Sequence, residues 1–265
     1  MSLAHAEGGA ALLELAVRAA RVAGDLLLEG AASGPPEARA KSSPTDLVTA
    51  FDRASEERVV EVLSAARPDD GILGEEGGER PGRSGVRWVI DPLDGTANFV
   101  SGYPAFVVSV AAERDGRTEV GVVHDPSRRE TFTAIRGRGA ARDGRPLSVS
   151  GPDRLEQALV STGFSSDPAA RARQAALAAH VVRHVRDIRS SGSAALDLCW
   201  VAAGRLGAYY ESGTRLWDRA AGVLIAEEAG AWVGGGAAGE PPGDALTIAS
   251  APKVAHALCA LVGHA

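Results

Sequence analysis

Between Ala10 and Glu29 apolar residues recur at Leu12, Leu13, Leu15, Ala16, Ala19, Val22, Ala23, Leu26 and Leu27, while Arg18, Arg21 and Asp25 take the positions between. That three-to-four spacing predicts an amphipathic helix. Ala31 to Ala40, with Gly34-Pro35-Pro36, reads as a loop, and a second helical pattern runs from Arg53 to Ala66. The period then shortens to two. After a loop over Glu79 to Gly85, the apolar run Val86 to Ile90 reads as a strand, followed by β-rich runs over Ala105 to Glu113, Thr118 to His124 and Glu130 to Arg136. Turns at Asp115-Gly116 and Pro126-Ser127 join the last three into a predicted antiparallel meander. A further strand over Pro146 to Ser150 follows the turn at Asp143-Gly144.

From Leu159 strands and helices alternate. The predicted elements are a strand Leu159 to Thr162, a helix Pro168 to Val185, a strand Arg186 to Arg189 and a helix Ala194 to Ala203. A strand Ala208 to Glu211, a helix Asp218 to Ala229, strands Ala231 to Gly234 and Leu246 to Ala249, and a closing helix from Pro252 complete the series. Such alternation predicts a layered α/β half. The expected organisation is an α+β half over residues 1–150 and an α/β half over residues 151–265, meeting at a hinge near Ser150 to Asp153 with no free linker.

With 265 residues, 45% of them hydrophobic and 23% charged, the chain can bury a sizeable core and has the composition of a globular protein. A net charge of -6, with no long block of either sign, argues against a nucleic-acid face. Cys199 and Cys259 sit in apolar, helix-like settings and show no metal-ligand or disulfide pattern. Glu7, Glu14 and Arg18 interrupt any signal-like start, and no apolar run reaches membrane-spanning length. A soluble cytoplasmic protein is the expectation.

The chemistry gathers at Trp88-Val89-Ile90-Asp91-Pro92-Leu93-Asp94-Gly95-Thr96-Ala97-Asn98-Phe99. Asp91 caps a strand, Pro92 cannot donate to a ladder and Gly95 permits a tight turn, so the chain is expected to bend there. The bend would turn Asp91, the Leu93 carbonyl, Asp94 and the Thr96 hydroxyl toward one small volume. All are hard oxygen donors, which suit magnesium, manganese or calcium. Taken alone the stretch could equally be an ordinary polar turn. Two further stretches change that reading: Gly74-Glu75-Glu76-Gly77-Gly78 after the apolar Gly71-Ile72-Leu73, and Trp217-Asp218-Arg219-Ala220-Ala221-Gly222.

In these three motifs and their order the chain resembles the inositol monophosphatase family, magnesium-dependent and lithium-sensitive phosphatases, from about Lys41 to about Ser250. The segment Lys41 to Asp52 also looks like the family's Lys-x-x-x-x-Asp-x-Val-Thr-x-x-Asp, although Asp52 has an ordinary job available as a helix cap. The resemblance implies a layered αβαβα sandwich of the sugar-phosphatase type, two to three Mg2+ ions and a homodimer. Residue by residue it implies that Glu75, Asp91 and the Leu93 carbonyl hold a first ion, Asp91, Asp94 and Asp218 a second, and Glu75 with Asp52 a third. Glu75, Thr96 and Asp94 become the catalytic residues, with Thr96 hydrogen-bonded near Glu75 to orient the attacking water. Gly95 and Thr96 would offer backbone N–H groups to phosphate, and substrate hydroxyls would meet Asp94, Gly192-Ser193-Ala194, Glu211 and Asp218. No Gly-x-Ser-x-Gly, reactive Cys setting or Walker loop supplies a protein nucleophile, so direct attack by metal-activated water is the mechanism that fits.

The implied function is hydrolysis of inositol monophosphate or a similar polyol or sugar phosphate. Histidinol phosphate, a sugar bisphosphate such as fructose bisphosphate, or a 3'-phosphoadenosine nucleotide are rival substrates, and a non-catalytic regulatory protein of the same fold is a rival class. Asn98-Phe99-Val100 and the Glu211 region favour the inositol branch. Phe51, Ala97, Arg215 and Leu216 depart from common family residues and leave the substrate open. Trp217 reads as core packing, and Lys41 as either a residue near the metals or a surface lysine. His180 and His184 read as an exposed helix face, and Arg136, Arg138, Arg142 and Arg145 as a solvated loop.

Overall fold

Leu12, Leu15, Ala16, Ala19, Ala23 and Leu27 form the buried stripe of a helix that is longer than its periodic core predicts, α1 (Leu3–Ala32). The structure, a computed structural model, describes residues 3–34, 36–41, 47–236 and 239–263, with side chains from residue 8 onward. Part of the predicted loop after α1 is a short strand, β1 (Ala38–Ala40), antiparallel to β2 (Leu47–Thr49). Pro35 and Ser42 to Asp46, which include the second residue of the Lys41–Asp52 pattern, lie outside the described residues. The second helix, α2 (Ala50–Ala66), starts three residues earlier than predicted because Thr49 caps it. The Thr49 hydroxyl accepts from Phe51 N, and the Asp52 carboxylate reaches back to Thr49 N. Asp52 is therefore the acidic partner of the capping box rather than the cap itself.

Eight strands form the larger sheet. They begin with β3 (Gly71–Gly74), β4 (Gly78–Arg80), which the sequence reading left inside a loop, and β5 (Val86–Asp94). After a short helix, α3 (Thr96–Ser101), come β6 (Val107–Arg114), β7 (Arg117–Asp125), β8 (Glu130–Ile135), β9 (Ala140–Arg142) and β10 (Arg145–Pro146). The order is β10-β9-β8-β7-β6-β5-β3-β4, antiparallel throughout except for the parallel pair β3 and β5. The strand predicted over Pro146 to Ser150 ends at Pro146. Beyond it Leu147 N still reaches Ala140 O at 2.8 Å, but Val149 N donates 2.7 Å to Ala229 O, which draws the chain off the sheet edge.

A second, five-stranded sheet follows, built from β11 (Leu159–Ser161), β12 (Asp187–Arg189), β13 (Ala208–Glu211), β14 (Trp232–Gly234) and β15 (Thr247–Ser250). Its order is β12-β11-β13-β15-β14, with β11 parallel to both β12 and β13 and the other pairs antiparallel. Four helices come from the same stretch: α4 (Pro168–Val181), α5 (Ala194–Ala202), α6 (Leu216–Glu228) and α7 (Ala255–Val262). The period-two alternation of the strands decides the layering. In β5, Trp88 and Ile90 face the helices α1 and α2, while Val89 faces α5 and α6. In β13, Tyr209 packs with Leu198 and Ala226 of α5 and α6, and Tyr210 packs on the opposite face with Leu258 of α7. The result is α1/α2, large sheet, α5/α6, small sheet, α4/α7, the expected αβαβα sandwich. Each fully buried Leu, Ile or Val stabilises these layers by about 1.5–3 kcal/mol. No helix among the described residues is long and apolar enough to cross a membrane.

Candidate active site

The central motif does not end its strand. β5 runs on through Pro92 to Asp94, and the register moves from Asp91 opposite Ser109 to Asp94 opposite Val107, so that Pro92 and Leu93 together face Val108. This is a β-bulge, a setting in which a proline without an N–H is tolerated and side chains are re-aimed. It leaves Asp91 buried at 2% exposure, its carboxylate accepting from Leu93 N at 3.1 Å. Gly95 caps α3 with φ 104°, and a Cβ there would stand 2.8 Å from Ala105 O, so only glycine makes this turn. Asn98, one turn on, donates 2.6 Å to Ala105 O and 2.7 Å to Ser191 O, tying α3 to the loop before α5.

Asp94 reaches that loop as well. Its Oδ2 accepts from Ser193 Oγ at 2.7 Å and from Ala195 N at 2.8 Å, in the first turn of α5. Of the three residues assigned to substrate there, Ser193 and Ala194 are thus buried, and the Ser193 hydroxyl serves Asp94 instead of facing solvent. Asp218 stands in the first turn of α6, where its Oδ2 accepts from Arg215 N at 2.7 Å. Glu75 follows β3, with its N–H on Ile90 O at 3.2 Å and its Oε1 3.0 Å from Lys41 Nζ, which also pairs with Glu76. Burial opposes the Lys41 charge, but Glu76 and Glu75 outweigh it and hold its pKa above the ordinary value. Lys41 is accordingly an ion-pair partner of the site rather than a free surface lysine.

Thr96 is placed differently from expectation. Its hydroxyl lies 2.8 Å from Asp52 Oδ1 and 3.1 Å from the Leu93 carbonyl, not on Glu75. The other Asp52 oxygen is held by Thr49 N and Thr49 Oγ1, both at 2.7 Å. Ser55, on the same helix, donates 2.7 Å to the Pro92 carbonyl within the bulge.

The acidic groups feel one another. Asp91 is raised well above the usual carboxylate range, first by burial and then by the charges of Glu75, Asp94 and Asp218. Burial lifts Asp94 to about 7 against the Ser193 and Ala195 donors, and lifts Asp218, helped by Asp94, to about 8. Glu75 is raised by burial against the pull of Lys41. Among the described residues no three His, Cys, Asp or Glu side chains are drawn close enough to hold a metal ion as they stand. Like charges about 4 Å apart cost about 4 kcal/mol at an effective dielectric of 20, so bringing these carboxylates together calls for a counter-charge. The donor set nonetheless fits a hard divalent cation: carboxylates and a carbonyl, no thiolate or imidazole, and anions that are unfavourable without a counter-charge.

Glu211 ends β13 with its Oε2 accepting from Tyr209 OH at 3.0 Å, and burial lifts its pKa to about 8, with Asp197, Asp94 and Asp218 adding repulsion. A Cβ on Gly163 would lie 2.2 Å from that carboxylate, so the neighbouring strand end leaves room for it only as glycine. Asp197, absent from the sequence reading, is buried in α5. One of its oxygens accepts from Ser161 Oγ at 2.6 Å, and burial lifts its pKa to about 7 against that bond and Ser191. Trp217 packs half-buried against the core beside Asp218, as expected. α4 ends at Val181, so His180 and His184 are not on one helix; their rings meet at 5.2 Å on an exposed face. The arginine loop is more than solvated, since Arg136 pairs with Glu227 of α6 at 3.2 Å and Arg142 with Glu130 at 3.4 Å.

Known proteins resemble this chain in sequence and fold. Residues 10–263 match the inositol monophosphatase family. The inositol-1-monophosphatase SuhB of Mycobacterium tuberculosis is 47% identical over 245 residues, covering 87% of this chain and 82% of that protein. The Nus factor SuhB of Pasteurella multocida is 46% identical over 227 residues, 84% of each. Among solved structures, the extragenic suppressor protein SuhB of Bartonella henselae superposes with a TM-score of 0.88 at 36% identity, covering 95% of this chain and 98% of that one. A match over nearly the whole length, joined to the layered fold, makes this chain a member of the inositol monophosphatase family.

Proposed function

We propose that the chain is a magnesium-dependent phosphomonoesterase acting on inositol monophosphate or a similar polyol phosphate. Membership brings metal dependence and a phosphorylated substrate at the level of the family. The observation that carries the finer reading is the electrostatic reach of Glu75 over Asp91, Asp94 and Asp218, each of which it helps to raise, beside a Thr96 hydroxyl that donates to Asp52.

Glu75, Asp91, the Leu93 carbonyl, Asp94 and Asp218 would hold two or three Mg2+ ions, with Asp52 beside them. When bound, magnesium supplies charge that binds phosphate oxygens, activates water and stabilises the leaving alkoxide. The rest falls to side chains. Thr96 Oγ1 gives its proton to Asp52 Oδ1, which leaves an oxygen lone pair free to accept a hydrogen bond from water and orient it toward phosphorus. Asp52 keeps that role because two donors from Thr49 fix its other oxygen. Ser193 and Ala195 fix Asp94 in the same way. The N–H groups of Gly95 and Thr96 are aimed at phosphate, and Glu211 at ring hydroxyls away from phosphorus.

Relatives of similar identity are called both inositol-1-monophosphatase and Nus factor, so their names do not choose between a hydrolase and a regulatory protein. A regulatory role alone would not require four mutually repelling carboxylates. Phosphate release from inositol 1-phosphate, histidinol phosphate, fructose 1,6-bisphosphate and a 3'-phosphoadenosine nucleotide, each with Mg2+, tests the proposal. The highest kcat/KM is expected on inositol 1-phosphate. Release from none of them refutes the hydrolase, and preference for another reassigns the substrate.

A further inference from the structure

One carboxylate near the site lies outside the set discussed so far. Glu56 is buried at 7% exposure on α2, one turn after Asp52, and among the described residues its partners are backbone N–H groups. Its Oε2 accepts from Glu76 N at 2.9 Å and its Oε1 from Gly77 N at 2.6 Å. A buried carboxylate that accepts two backbone N–H groups makes short, charge-assisted bonds and fixes the turn that supplies them. That turn carries Glu75. The glycines around it are shaped to the clamp: a Cβ on Gly74 would stand 2.4 Å from Glu56 Oε2, and one on Gly77 2.5 Å from Oε1. The Gly-Glu-Glu-Gly run therefore has small residues where Glu56 enters and carboxylates on either side of the bonds it makes.

We propose that Glu56 is a positioning residue that sets the place of Glu75 by clamping the Glu76 and Gly77 amides, and so sets the affinity for the ion that Glu75 would hold with Asp91 and the Leu93 carbonyl. The proposal rests on the metal-dependent reading given above. It makes one face of α2 a jig for the site. Asp52 holds Thr96, Ser55 holds the Pro92 carbonyl of the bulge, and Glu56 holds the Glu75 turn, at positions i, i+3 and i+4 of one helix. The end of β5, at Pro92 and just past it at Thr96, and the turn after β3 are thereby referred to a single rigid element. Partners that orient metal ligands in this way typically change metal affinity by about 10–100-fold when removed.

The test titrates Mn2+ into the purified chain without substrate and reads free Mn2+ by electron paramagnetic resonance. Glu75→Ala is expected to lose the ion assigned to Glu75. Glu56→Gln, which turns an amide NH2 against one of the two N–H donors, is expected to bind that ion about tenfold more weakly or worse. The ion assigned to Asp94 and Asp218 should keep its affinity. Glu56→Asp separates position from charge, since it keeps the negative charge but is one methylene too short to reach both amides. It is expected to fail as Glu56→Gln does. Wild-type affinity in Glu56→Asp would reduce Glu56 to a fixed charge and overturn the proposal, as would wild-type affinity in Glu56→Gln. Wild-type binding in Glu75→Ala would instead overturn the assignment of a metal to Glu75, and the clamp's role with it. Should Glu56→Gln not fold, Gly77→Ala displaces the carboxylate from the loop side while Glu56 stays in the chain. The same weakening is expected there, and unchanged affinity counts against the clamp.

Discussion

Replacing Asp218 by Asn should stabilise the metal-free protein and destabilise the magnesium-loaded one. The amide keeps an oxygen acceptor for Arg215 N, so the start of α6 retains its cap. What disappears is a carboxylate whose folded pKa is pushed to about 8, by burial first and by Asp94 next. A carboxyl group with a raised folded pKa binds its proton more tightly in the native state. Its contribution to stability is therefore complete below the unfolded pKa of about 4 and is lost as pH rises toward about 8. Between a pKa of about 4 unfolded and about 8 folded, the cost at pH 7 is at most about 4 kcal/mol. Asp94 and Glu75 share the same repulsion, so about 2 kcal/mol is expected for the single substitution. For a chain of this size that raises Tm by about 4–8 °C. The assay is thermal unfolding in chelator at pH 5, 7 and 8. The gap between Asp218→Asn and wild type should be small at pH 5 and widen upward, then change sign when saturating Mg2+ is added, because only wild type gains the full binding energy. A Tm below wild type in chelator at pH 8, or a gap that does not shrink toward pH 5, would refute the repulsion argument.

Phosphate release should require added magnesium and be inhibited by lithium, since an all-oxygen site for small hard cations also admits lithium; full activity in excess chelator contradicts this. Thr96→Val keeps the volume and removes the hydroxyl, and kcat should fall by about 10²–10⁴ while Thr96→Ser stays close to wild type. Wild-type kcat in Thr96→Val, with loss only in Thr96→Ser, would reduce Thr96 to packing. At a pH above about 8, where Glu211 is ionised, Glu211→Gln should lower kcat/KM on inositol phosphate by about ten- to a hundredfold, the worth of a charged hydrogen bond, with little effect on a simple phosphate ester that lacks the ring hydroxyls. Equal loss on both substrates, measured by phosphate release, removes Glu211 from recognition.

Periodicity made the sandwich legible. The stripe of α1 and the alternation in β5 to β8 are written directly in residue types, because burial on one face or on both leaves no other pattern. The bulge at Asp91–Asp94 was not legible. Proline and glycine signal that a strand is disturbed, but only pairing with Ser109 and Val107 shows that it continues. Edges were also obscure: β4 is three exposed residues, and the fate of Pro146 to Ser150 depended on a carbonyl at the end of α6. In the site, the carboxylates stood out through their motifs, yet their partners did not. The hydroxyl of Ser193, expected near substrate, bonds Asp94, and Thr96 is tied to Asp52, a residue 44 positions away. Glu56 had a readable signal in the polar spacing Asp52, Ser55, Glu56 on a helix face that should be apolar if it faced only core. Tyr209 and Asp197 had none, since a tyrosine in a strand and an acid in the first turn of a helix are ordinary in sequence.

The central claim, that these carboxylates hold the ions needed for hydrolysis, is tested most directly by anomalous diffraction from crystals soaked in Mn2+. The account predicts two or three peaks at about 2.0–2.3 Å from oxygens of Asp91, Asp94, Asp218 and Glu75, with Asp91 shared between two of them. Peaks elsewhere on the surface, with these four side chains left without an ion, would contradict it.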